Sequence, residues 1–314
     1  MDLYSKIVQG NTNALSKAIT LIESTLEKDK QESQKLLSKC IQKEYNSIRI
    51  GVTGIPGVGK SSFIELFGAT FLRKKKKIAV LAIDPSSEKT KGSILGDKSR
   101  MQTLSNNKNV FIRPSSNSGM LGGVSNNTKD SILLCEAAGY DVIIIETVGV
   151  GQSETTVNQL VDIMLLLTIT GAGDRLQGIK KGINELADLI IITKDDGDNQ
   201  EKVKEAMLDY KSIISLNIKT DANSIPKVFK CSSHKNTGIK EINIATEQYI
   251  QRFKENNLFN IKRTTQKIYW INKTLKEELG NIKYNELKQT NMITHIEDKI
   301  IKEKKNLFDL ITNL

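Results

Sequence analysis

One segment constrains the fold more than any other: Gly54-Ile-Pro-Gly-Val-Gly59-Lys60-Ser61, a complete G-x4-G-K-S. The pattern requires a strand that delivers a glycine-rich turn and a helix that leaves it, and both neighbours are present. IRIGVT, residues 48–53, reads as a short apolar strand, and SSFIELFGATFLR, residues 61–73, reads as the helix. Glycines let backbone N–H groups approach phosphates, and the helix N-terminus adds a favourable field. Gly54, Gly57, Val58, Gly59, Lys60, Ser61 and Ser62 therefore form the predicted phosphate cradle. Lys60 reaches the β- and γ-phosphates, and the Ser61 hydroxyl ligates Mg²⁺.

A second element lies downstream, Asp141-Val-Ile-Ile-Ile-Glu146-Thr-Val-Gly149. An apolar strand ending in an acid, with glycine three residues on, is the Walker B pattern. Glu146 is expected to hold Mg²⁺ through water, and the Gly149 N–H to sense the γ-phosphate. Val150 follows, where Ras-like enzymes carry the glutamine that orients the attacking water. Gln152 is near, with no role assignable from spacing, so slow intrinsic hydrolysis is expected.

Base choice is written in Asp188-Leu-Ile-Ile-Ile-Thr193-Lys194-Asp195-Asp196, a strand ending in T-K-x-D where guanine-specific proteins carry N-K-x-D. A carboxylate at Asp196 can accept from guanine N1–H and the 2-amino group, neither of which adenine offers there, while the Lys194 stem covers the ring. Thr193 replaces the asparagine that braces the phosphate loop; losing that bond costs about 1 kcal/mol, or roughly fivefold in affinity. Cys231-Ser232-Ser233 follows the next strand, where backbone N–H groups meet guanine O6.

Around these motifs, apolar runs at 48–53, 78–83, 110–112, 142–146, 163–168, 189–193 and 228–231 alternate with helical segments. The alternation predicts a three-layer α/β P-loop NTPase domain with a mostly parallel sheet over residues 46–240. Residues 1–45 read as one or two amphipathic helices. Residues 241–314 read as a helical extension whose apolar stripes must be buried on the core or on another chain; with no other obvious cover, a homodimer is expected. No apolar run approaches the ~20 residues of a membrane span, and the N-terminus lacks a signal pattern, so the expected compartment is the cytoplasm. The net charge of +10 hints at nucleic acid. However, the densest basic run, Arg73–Lys77, falls where a helix should end and where cations favour the dipole. No RNA module or interleaved aromatic pattern accompanies it, so neither nucleic acid nor membrane is an expected partner. Three scattered cysteines and two histidines exclude a Cys- or His-based metal cluster and fit a reducing compartment.

Five longer segments are more specific than these motifs: GVTGIPGVGKSSFIE, VLAIDPSSEKTKGSILGDKSRM, FIRPSSNSGMLGGV, LLCEAAGYDVIIIETVGVGQSE and TITGAGDRLQGIKKGINELAD. Together they resemble the ArgK/MeaB family, the G proteins associated with methylmalonyl-CoA mutase, strongly over residues 48–235. The resemblance implies a dimeric GTPase using GTP, GDP and Mg²⁺. Its nucleotide cycle would gate delivery of adenosylcobalamin to a cobalamin-dependent acyl-CoA mutase and protect that enzyme. It also implies that Asp84, in DPSS, and Asp97, in GDK, are switch acids near Mg²⁺ and the attacking water, and that Gly171–Lys181 signals to the mutase. An older annotation of the family supplies the alternative, a P-loop kinase or ATPase linked to basic amino-acid transport. Nickel-inserting relatives carry the His or Cys clusters that this chain lacks.

Overall fold

The computed structural model describes residues 2–83, 101–114, 121–147, 153–171, 187–216, 225–305 and 307–311. In chain order the elements are α1 (Leu3–Val8), α2 (Thr12–Glu23), α3 (Glu27–Ile41), β1 (Ile48–Gly54), α4 (Lys60–Arg73), β2 (Ile78–Ile83), α5 (Gln102–Ser105), β3 (Val110–Pro114), α6 (Leu121–Ala137) and β4 (Val142–Thr147). They continue with α7 (Ser153–Asn158), β5 (Ile163–Thr168), β6 (Leu189–Ile192), a 3-10 turn (Gly197–Asn199), α8 (Gln200–Leu216), β7 (Lys227–Lys230), α9 (Ile239–Glu255), α10 (Leu258–Gln289), α11 (Met292–Glu303) and α12 (Leu307–Ile311). Two compact units result. One comprises 47–129 and 139–251, and the other 1–46, 130–138 and 252–314.

The first unit is built on a seven-stranded sheet in the order β3-β2-β4-β1-β5-β6-β7. All of its pairings are parallel. Every predicted strand is present, with ends shifted by one or two residues. Central parallel strands are covered on both faces, so they read as near-continuous apolar runs: β4 is buried along its whole length, and β5 except at its last residue. One face packs under α4, where Phe63, Phe67 and Phe71 meet Ile50, Val80, Ile144 and Leu165. Phe63 stacks on Phe67, and Phe71 meets Phe67 edge-on.

Strand register at the N-terminal edge is held by three aspartates that each stand just before a strand. Asp141 accepts from the Lys77 amide, Asp162 from Arg49 and Asp188 from Met164, each at 2.8 Å. The opposite, C-terminal edge is thereby left to the glycine loop. Because β1 lies between β4 and β5, a loop leaving β1 emerges at the switch point where open α/β sheets bind ligands. Two cations of the basic run that closes α4 pair within the same unit. Lys74 pairs with Glu247 at 2.5 Å and Lys76 with Asp141 at 3.2 Å.

In the helical unit, the N-terminal segment forms three helices where the sequence suggested one or two. Asn11 caps α2 through the Ala14 amide, and the extended Ser24 and Leu26 separate α2 from α3. The C-terminal stripes also find cover inside the chain. α9, whose residues 239–251 belong to the sheet unit, contributes Ile239, Ile242, Ala245 and Ile250 to that unit's core. α10 bends at Gly280, whose φ is 76° and ψ 164°. Ile271, Leu275 and Tyr284 of α10 then close on Ile293 and Ile296 of α11.

Candidate functional site

The cradle is built by backbone before any side chain contributes. β1 ends at Gly54, where φ is 150° and a Cβ would lie 2.3 Å from the Leu167 carbonyl oxygen, so only glycine lets β1 and β5 run this close at the sheet edge. Val58 drops into the core, fully buried, while Ile55 stays exposed. Gly59, at φ 96° and ψ 30°, turns the chain into α4, a conformation that L side chains resist. Lys60 Nζ donates to the Gly54 carbonyl at 2.7 Å and the Ile55 carbonyl at 3.3 Å, so its ammonium is tethered across the loop. Ser61 is half-buried on the first turn and Ser62 is exposed.

Register carries the acid to this loop. Val52 pairs with Glu146 across β1 and β4, and Thr147 donates to Thr53 at 2.8 Å between buried hydroxyls. Glu146 is 9% exposed, and its Oε1 accepts from Ser61 Oγ at 3.2 Å. A hydroxyl beside a carboxylate at the foot of a phosphate cradle is a hard-oxygen donor set. It suits Mg²⁺, which takes few protein ligands and completes its shell with water and phosphate oxygens. No group of three or more His, Cys, Asp or Glu side chains able to hold a metal is found among the described residues. Asp84, Asp97, Gly149 and Gln152 lie outside the described residues, as does the 171–181 segment beyond Gly171.

The T-K-x-D loop leaves the end of β6 beside the end of β7. Thr193 is buried, and its hydroxyl lies 2.8 Å from the Val58 carbonyl and 3.2 Å from the Thr168 carbonyl. The brace whose loss the T-K-x-D sequence implied is therefore kept, supplied by a hydroxyl in place of an amide. Lys194 is exposed and adopts φ 61°. Asp195 turns away to pair with Lys230 at 2.9 Å. Asp196 extends in the other register, with Oδ2 accepting a short hydrogen bond from Ser232 Oγ.

Ser232 is fully buried, and its oxygen also accepts from the Lys235 amide at 3.0 Å. In the Cys231-Ser232-Ser233 triplet, the Cys231 amide serves the Ile192 carbonyl and the Ser232 amide the Thr237 carbonyl. Both amides are thus used within the fold. The Cys231 side chain belongs to the core, where burial pushes its thiol up to about 12.

Two contacts had no sequence signal strong enough to single them out. Asn199 joins the loops after β5 and β6. Glu65 of α4 accepts from the Thr103 amide at 2.7 Å and the Leu104 amide at 3.4 Å, fixing α5 to the helix that leaves the cradle. A central strand, a G-x4-G-K-S turn, a hydroxyl–carboxylate pair and a T-K-x-D loop on one sheet edge define a P-loop nucleotide-binding protein of the G-protein type.

Comparison with known proteins takes the class to a family. The model of the family described as "Methylmalonyl Co-A mutase-associated GTPase MeaB" matches residues 15–287, and the chain belongs to that family. GTPase ArgK of Escherichia coli (strain K12) is 45% identical over 276 residues, covering 88% of this chain and 83% of that one. The protein named methylmalonic aciduria type A homolog, mitochondrial, of Mus musculus is 41% identical over 287 residues, covering 88% and 69%. Among solved structures, the crystal structure of LAO/AO transport system kinase superposes with a TM-score of 0.76 at 34% identity, covering 99% and 96%. No helix among the described residues is long and apolar enough to cross a membrane.

Proposed function

We propose that this GTPase gates the loading of adenosylcobalamin onto a cobalamin-dependent acyl-CoA mutase and protects the loaded enzyme. The observation that carries the reading is the family match across residues 15–287 on a chain whose phosphate loop and T-K-x-D loop converge at one sheet edge. The mouse relative's name, which refers to methylmalonic aciduria, points to the same metabolism.

In this reading Lys60 leaves the Gly54 and Ile55 carbonyls for the β- and γ-phosphates, and the cradle amides complete the anion site. Ser61, Glu146, Asp84 and Asp97 hold Mg²⁺, which when bound neutralises the charge that accumulates on the phosphates. The Gly149 N–H registers the γ-phosphate, and Gln152 is the nearest polar candidate for the attacking water. Thr193, Lys194, Asp196, Ser232 and Ser233 select guanine. With Val150 after Gly149, basal turnover is slow and the mutase completes the site. Residues 1–45, 46–240 and 241–314 serve as N-terminal extension, G domain and dimerisation extension. The α10–α11 stripe is covered within the chain, so the homodimer rests instead on the exposed Ile261, Tyr269 and Ile282 of α10. The cytoplasm is the proposed site of action.

The decisive experiment follows γ-labelled GTP, with ATP in parallel, with and without the organism's own cobalamin-dependent acyl-CoA mutase. GTP-selective release of phosphate to water that rises on mixing is expected. Equal turnover of both nucleotides, or indifference to the mutase, overturns the reading. The superposed crystal structure bears the name of a kinase, and label transferred to a protein acceptor instead of water would favour that second reading.

A further inference from the structure

The loop that reads the base carries a backbone conformation that needs support. Lys194 sits in the left-handed region at φ 61°, where a Cβ crowds the following carbonyl and only glycine rests without cost. A lysine stays there when neighbouring groups hold its peptide in place. Asn199 Nδ2 donates to the Lys194 carbonyl at 2.8 Å. Asn199 is itself aimed, because Thr170 Oγ1 donates to Asn199 Oδ1 at 2.6 Å. The amide orientation follows from this pairing: a carbonyl demands the NH₂ side, and the hydroxyl proton then meets the oxygen. The Asn199 backbone belongs to the same turn, its amide donating to the Asp196 carbonyl at 3.2 Å. Thr170 and Asn199 are half-buried, so the relay is partly shielded from water.

We propose that Asn199 is a positioning residue for guanine recognition: oriented by Thr170, it locks the left-handed Lys194 peptide so that the lysine stem is presented over the base. The relay is separate from the Thr193 brace, which runs to the phosphate loop and involves neither Asn199 nor Thr170. It rests on the reading that Lys194 and Asp196 contact guanine.

The test uses the full chain and measures dissociation of N-methylanthraniloyl-GDP by stopped flow. Asn199→Ala, the isosteric Asn199→Asp, which cannot donate to the Lys194 carbonyl, and Thr170→Val should each speed dissociation about fivefold, the worth of one hydrogen bond. Thr170→Ser should restore the parental rate. Inorganic tripolyphosphate, which has no base, should compete equally well in every variant. In a Lys194→Gly background, where glycine holds the turn unaided and no stem remains, Asn199→Ala should add less than about twofold.

Parental dissociation rates in Asn199→Asp and Thr170→Val overturn the proposal. So does a parallel loss of tripolyphosphate affinity, which marks general disruption. If instead Lys194→Gly and Asp196→Asn leave both GDP dissociation and the preference for guanine over xanthine nucleotides unchanged, the underlying base reading fails. Should Asn199→Ala not fold, the other two substitutions decide.

Discussion

At the scale of single residues, the nucleotide edge is held by hydroxyls used as tethers. Thr147 meets Thr53, Ser61 meets Glu146, Ser232 meets Asp196, and Thr193 reaches the carbonyl of Val58. Thr193 tests how much one such tether contributes. Thr193→Val keeps the shape, removes the proton and leaves the buried Val58 carbonyl without that donor. Binding of GDP should weaken by about 1 kcal/mol, close to fivefold, with Thr193→Ser near the parent. Isothermal titration calorimetry decides it, and parental affinity in the valine variant would show the brace to be idle. The residue types at this edge were legible in the sequence because phosphate and guanine impose fixed spacings on the backbone that meets them. The partners of Thr193 and Asn199 were not. Val58 is 135 positions from Thr193, and nothing in T-K-D-D distinguishes a threonine that reaches the loop from one that faces solvent.

At the scale of elements, central parallel strands declare themselves because both faces are buried and the apolar run is continuous. β4 and β5 were readable for that reason, whereas the edge strand β7, which has no buried residue, was readable only as a short apolar run between helical segments. The split of the N-terminal segment into three helices was harder. Its breaks are single residues, Asn11 and the extended Ser24 and Leu26, which barely interrupt the helical spacing of the apolar positions. The C-terminal stripe was read as needing another chain because periodicity shows that a face is apolar without showing what covers it. Gly280 turns α10 back, allowing α10 and α11 to cover one another. Leu275, fully buried at the centre of that cluster, carries the element's stability. Leu275→Ala should cost about 2–5 kcal/mol, read as a lowered urea midpoint. A loss below ~0.5 kcal/mol, the size of a surface substitution, would mean that the cluster contributes little.

For the molecule as a whole, the three cysteines predict an alkaline weakness. All are free and buried. Burial pushes Cys40 and Cys231 from 9.0 up to about 12, and Cys135 is raised for the same reason, with Glu136 adding to it. A raised folded-state value means that the unfolded chain ionises first. The stabilisation is therefore complete below pH 9 and is lost as pH climbs from 9 towards 12. Urea midpoints should hold level up to pH 9 and fall beyond it, less steeply for Cys40→Ala. Native protein below that pH should resist thiol reagents, which require the thiolate. Rapid labelling of the folded chain at neutral pH would contradict the burial described.

The discontinuous helical unit has a consequence in time. Its segments lie at both ends of the chain and at 130–138. They are joined by contacts such as Gln42 to the Lys304 carbonyl at 3.1 Å, Glu44 to Lys304 at 3.2 Å, and Glu136 to Arg263 at 3.7 Å. A ribosome adding 5–20 residues per second leaves residues 1–46 waiting on the order of 10–40 s for the first of their C-terminal partners. Throughout that interval Gln42 and Glu44 are without the Lys304 contacts that join the segments. Residues 1–46 are the stretch on which a holding chaperone would act during that wait.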